Sequence, residues 1–115
     1  MNLESKLALK GRPIRVIGAP PDFRLEPGPS TGERPGLLVF VKDRASARKQ
    51  LRAIVESAKA DRLTWVAYPK AGQLGTDLNR DSLAALVMEA GAQPVTQVSI
   101  DEVWSALRFR PPKPG

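Results

Sequence analysis

Apolar residues recur along the chain in two rhythms. Leu37-Leu38-Val39-Phe40-Val41 is an unbroken apolar run with β-branched and aromatic members, the pattern of a strand covered on both faces and the candidate for a sheet centre. Leu63-Thr64-Trp65-Val66-Ala67-Tyr68 gives another strand, ended by Pro69. Between them Asp43 is placed to cap a helix in which Ala47, Leu51, Ile54, Val55 and Ala58 repeat at helical spacing. Strand, helix, strand in that order implies a right-handed parallel crossover. A second helix is predicted over 81–90, with Leu83, Leu86, Val87 and Ala90 inward and Gly91 as its stop. Val95 to Ile100 and Ser105 to Arg110 read as two closing strands, joined so briefly that an antiparallel pair is expected.

Ahead of these elements, Ile14-Arg15-Val16-Ile17 is a short strand that breaks at Gly18-Ala19-Pro20-Pro21, because prolines cannot continue a ladder. Asn2, Leu3, Leu7 and Gly11 outline a short leading helix, cap to stop. Residues 22–36 lack any period and read as a flexible loop, and residues 111–115 as a disordered tail. The order is βαβαββ after the leading helix, an α/β pattern with about five strands, a mostly parallel sheet and a final antiparallel hairpin. A length of 115 residues suits one core, so residues 1–110 are expected to form a single domain.

Composition narrows the chemistry. The sequence has no cysteine and no histidine, which removes disulfides, thiolate nucleophiles, imidazole bases and the commonest transition-metal ligands. No apolar run approaches the roughly 20 residues of a membrane helix, and Met1 to Lys10 lacks a signal-peptide core, so a cytoplasmic protein without membrane partners is expected. A net charge of +6 makes an anionic partner worth seeking, since basic surfaces attract phosphates.

Several stretches carry a family resemblance. They are Leu9-Lys10-Gly11, Val16-Ile17-Gly18-Ala19-Pro20, Trp65-Val66-Ala67-Tyr68-Pro69-Lys70, Thr76-Asp77-Leu78-Asn79-Arg80-Asp81 and the segment from Asp101 to Phe109. Together they resemble a bacterial family of short methyltransferase-like, half-Rossmann domains of unassigned function. The resemblance implies a small Rossmann-like three-layer domain similar to the later half of a class I methyltransferase. It does not bring the cofactor with it. The first strand ends in Gly18-Ala19-Pro20-Pro21 instead of a glycine-rich turn, and no second strand ending in an acidic residue follows. Those two features normally supply the contacts to the adenosylmethionine cofactor, so no cofactor is expected.

Two sets of residues stand out as candidate sites. Lys70, Thr76, Asn79 and Arg80, with Gly72 and Gly75 between them, precede a helix N-terminus at the carboxyl edge of the sheet, and Asp101 lies at the same edge. Backbone amides and cationic side chains in that setting hold anions. The same residues have structural uses: Thr76 or Asn79 can cap the helix, Asp77 or Asp81 can pair Arg80, and Asp101 and Ser105 can satisfy turn amides under Trp104. Arg44, Arg48 and Arg52 form a stripe at four-residue spacing that either tracks a phosphate backbone or is simply solvated. With no complete catalytic motif, the expected function is non-catalytic binding of a small anionic ligand or a protein partner at the strand ends. The alternatives are a nucleic-acid-binding accessory protein and a degenerate methyltransferase-like enzyme. An exposed sheet edge would also allow a homodimer.

Overall fold

Residues 7, 14–21, 23, 36–70 and 72–112 are described by the computed structural model of the chain. The predicted leading helix, apart from Leu7, lies outside them, as do Asp22, residues 24–35 of the predicted loop and the tail from 113. Five strands, β1 (Ile14–Ile17), β2 (Gly36–Phe40), β3 (Thr64–Pro69), β4 (Gln93–Ser99) and β5 (Trp104–Arg110), form one sheet in the order β1-β2-β3-β5-β4. Helix α1 (Arg44–Lys59) connects β2 to β3, and a 3-10 turn (Gln73–Gly75) and helix α2 (Arg80–Ala90) connect β3 to β4.

Both helix starts are set by side chains. Asp43 accepts the Ser46 amide at 2.8 Å while Ser46 Oγ accepts the Asp43 amide at 3.1 Å, a reciprocal capping box. Asn79 and Ser82 repeat the device at α2, at 2.8 and 2.9 Å. Gly91, at φ 115°, ends α2 in the left-handed conformation expected of a glycine stop. The hydrogen bond from the Ser46 amide, and then that from its hydroxyl, hold the Asp43 carboxyl below its ordinary 3.8. A depressed folded-state value stabilises above the unfolded value and is lost as pH falls through the folded one. Stability is therefore expected to decline in acid below pH 3.8, and Asp43→Asn should flatten that decline in denaturant midpoints measured across acid pH.

Period-two alternation divides the sheet into two faces. Leu37, Val39, Val66, Leu107 and Phe109 point toward both helices and pack on Ile54, Ala58, Leu83 and Val87. Leu38, Phe40, Trp65, Ala67 and Ala106 point the other way, with Leu7 among them and Phe23 and Trp104 packed alongside. Trp65 is 1% exposed and its indole N–H donates to the Leu7 carbonyl at 2.9 Å, so the one polar atom of the ring is satisfied in the core.

The expected mostly parallel, Rossmann-like arrangement is corrected in its strand directions and order. Among the described residues only the β1–β2 and β2–β3 ladders are parallel; β5 pairs antiparallel with both β3 and β4, and these are the longer ladders, so the sheet is mixed. Both helices cover the same face, so no helix lies on the opposite face among the described residues. The reason is directional. Each helical crossover steps the same way across the sheet, from β2 to β3 and from β3 to β4, and crossovers of one hand stepping one way stack their helices on one side. The parallel-running strands β1, β2, β3 and β4 follow one another in a single direction across the sheet, hence there is no topological switch point between them.

β1 and β4 are the sheet edges. The β4–β5 register shifts between Pro94 and Thr96, a proline-bearing irregularity of the kind that discourages a further strand from adding. Among the described residues no helix is long and apolar enough to cross a membrane.

Candidate functional site

Because β5 runs between β3 and β4, the carboxyl ends of those two strands stand two strand spacings apart, roughly 10 Å. The N-terminus of α2 lies over that gap. A cleft of about 480 Å³ results. β3 contributes Tyr68 and the following Lys70, the start of α2 contributes Asn79 and Arg80, the end of β4 contributes Gln97, Val98 and Ser99, and β5 contributes Ser105. The register places Tyr68 opposite Ser105 and Ser105 opposite Ser99, so three hydroxyls lie in a row across one face.

Each polar group has a definite local role. Lys70 is anchored through its backbone, whose amide donates to the Val103 carbonyl at 2.7 Å. Its ammonium donates to Ser99 Oγ at 2.8 Å, and Ser99 in turn donates to the Asp101 carbonyl at 3.3 Å. Ser99 thus links the Lys70 side chain to the turn between β4 and β5. Arg80 meets the Asp81 carboxylate at 3.3 Å, with both side chains at least half exposed, a pairing too solvated to bind the guanidinium firmly. Tyr68 is 3% exposed. Burial raises its hydroxyl above the ordinary 10.0, against the opposing pull of the Arg80 guanidinium and the Ser105 hydroxyl. The phenol is therefore a neutral donor at physiological pH.

Of the residues expected at this edge, Lys70, Asn79 and Arg80 line the cleft, while Thr76 and Asp101 do not. Thr76 Oγ1 accepts the Leu78 amide at 3.0 Å. Asp101 Oδ1 accepts the amides of Val103 and Trp104, both at 2.8 Å, which closes the β4–β5 turn. Asn79 spends its carbonyl on the α2 cap. Asp77 does not pair Arg80; its carboxylate takes the Arg44 amide at 2.8 Å, and its carbonyl accepts from Arg44 Nε at 3.2 Å. Removing the α2 cap by Asn79→Ala is expected to cost about 1 kcal/mol, read as a lower denaturation midpoint with an unchanged m-value.

Tyr68, Gln97, Ser99 and Ser105 enter the site without having been singled out as ligand residues. Gln97 and Ser99 are two apart in β4, a period-two signal on one strand face, but their approach to Lys70 depends on where β5 inserts. Gly18, at φ 74°, also proves structural. A Cβ there would stand 3.0 Å from the Phe40 carbonyl oxygen, so the glycine lets the chain leaving β1 turn closely past the end of β2. A smaller cleft of about 280 Å³ between β1 and α1 mixes Arg15 and Arg62 with Glu56 and so selects no sign of charge. No cluster of three or more acidic, histidine or cysteine side chains suited to a metal occurs among the described residues. Compared with family models, curated proteins and solved structures, the chain matches none of them.

Proposed function

We propose that this is a non-catalytic, cytoplasmic binding domain that holds a small anionic ligand, a phosphate ester or a carboxylate, in the cleft between β3, β4 and the start of α2. The observation that carries this reading is the pairing of Lys70 and Arg80 in a cleft whose lining includes no carboxylate. The ammonium supplies compact donors and the guanidinium a planar fork suited to two oxygens. Tyr68 and Ser105 add neutral hydroxyls, and the positive end of the α2 dipole favours the same sign of ligand. The absence of histidine and cysteine supports binding over turnover.

A second copy of the chain pairing edge to edge would meet β1 or β4, and the Pro94 irregularity weighs against β4 in that role.

Thermal melts with inorganic phosphate, sugar phosphates, nucleotides and dicarboxylates test the cleft. A ligand present at 100 times its Kd adds about 2.7 kcal/mol, which moves the midpoint of a domain this size by several degrees. Lys70→Ala and Arg80→Ala should each abolish the shift while leaving the ligand-free midpoint within a degree or two, since both side chains are partly solvated. A shift that survives the double substitution, or no shift with any of these anions at millimolar concentration, would refute the assignment.

A further inference from the structure

The outer face of α1 carries a second cationic surface, separate from the cleft. From Lys42 to Lys59 the chain has six cations and two carboxylates, and Arg44, Arg48, Lys49 and Arg52 are all exposed. The carboxylates are largely committed. Asp43 caps the helix, and Glu56 pairs with Arg52 across side chains 67% and 90% exposed, a contact easily given up. Among the described residues Arg48 and Lys49 form no ion pair. Arg44 is held by the Asp77 carbonyl, which orients its guanidinium without neutralising it, while the Asp77 carboxylate is taken by a backbone amide.

We infer that this face of α1 docks on the phosphate backbone of duplex nucleic acid. The three arginines recur every four residues, about 6 Å apart along an axis of about 24 Å, an array suited to consecutive phosphates. Guanidinium forks take phosphate oxygens in pairs. A single strand is disfavoured, because stacking platforms are needed and none of the six aromatic residues is exposed. An acidic membrane is disfavoured too: the exposed α1 positions carry no large apolar side chain to insert. Binding is sequence-independent, since long cations contacting phosphates position a duplex without reading its bases.

Fluorescence anisotropy of the whole chain with a short fluorescein-labelled DNA duplex, competed by unlabelled duplex DNA or duplex RNA, tests this directly. Four engaged cations give a slope of log affinity on log salt of about −3.6, or about a 150-fold loss between 50 and 200 mM salt. Arg48→Ala and Lys49→Ala should each reduce that slope by about 0.9. Thr96→Glu, an equal change of net charge on exposed β4, should leave it unchanged. Arg48→Glu with Arg52→Glu should abolish binding while the melting midpoint falls only slightly, from the like-charge row made with Glu56. Competition by either duplex fits backbone recognition. Tighter binding to a single strand, to polyglutamate or to phosphatidylserine vesicles, binding retained by the double reversal, or no binding at low salt would each overturn the inference. None of these readouts depends on the cleft ligand.

Discussion

Trp65→Ala is expected to remove about 3–5 kcal/mol of folding stability, the range for deleting a fully buried large aromatic. That is a large share of the 5–15 kcal/mol that holds a typical domain folded. Two separable effects make up the loss. The ring fills the face of β3 opposite the helices, against Leu38, Ala106 and Leu7, and its removal leaves a void that rigid strands on both sides cannot close. The indole also ties Leu7 to the sheet through a buried hydrogen bond at 2.9 Å. Trp65→Phe separates the two. It keeps most of the apolar volume and leaves the Leu7 carbonyl without its donor, so a loss of about 1–3 kcal/mol is expected. Equilibrium denaturation of both variants reads the difference. Equal losses would place the whole effect in the hydrogen bond; a neutral Phe variant would show that water replaces the donor.

The elements themselves were legible because their signals are local. Asp43 before a helical period, Gly91 after one, and the unbroken apolar runs of β2 and β3 each depend on a few neighbouring residues. The position of β5 was not local. A short connection predicts that β4 and β5 pair, yet it does not say which of them meets β3. The deciding signal is polarity. β5 buries Ser105, Ala106, Leu107 and Phe109, as an interior strand must, whereas Val95, Thr96, Gln97 and Ser99 of β4 are exposed, as on an edge. Weighing those two strands against each other would have favoured the mixed order over the parallel one.

The candidate site follows the same division. Lys70 and Arg80 were found because a cationic loop before a helix is a sequence-local pattern. Ser99 and Gln97 belong to the site only because β5 separates the ends of β3 and β4, so no reading that left β5 unplaced brings them to Lys70. Of the two carboxylates placed to pair Arg80, Asp81 is the one that does so, and Asp77 is used elsewhere. Its nearest cation in sequence is Arg80, but its carboxylate reaches the first amide of α1, where an N-terminal helix donor lacks a partner of its own.

Gly36 illustrates how closely β2 and β3 are set. It opens β2 beside Leu63, and a Cβ built on it would stand 2.7 Å from the Leu63 carbonyl oxygen and 3.1 Å from the Leu63 Cβ. The first obstacle is backbone, and it is held in place. That carbonyl accepts the Leu37 amide at 2.7 Å, and Leu63 follows the left-handed Asp61 that ends α1. Gly36→Ala therefore has to spread β2 from β3 or shift the chain leaving α1, at an expected cost of about 1–3 kcal/mol, as for overpacking in a core. Both routes disturb the β2–α1–β3 unit that carries the basic helix face, while the cleft lies at the other end of the strands. Gly36→Ala should accordingly lower the denaturation midpoint, and amide hydrogen exchange should show faster opening at Leu37 than at Ser105. A substitution without measurable cost would mean that Leu63 can move away, and that the close approach of the two strands is not required for the fold.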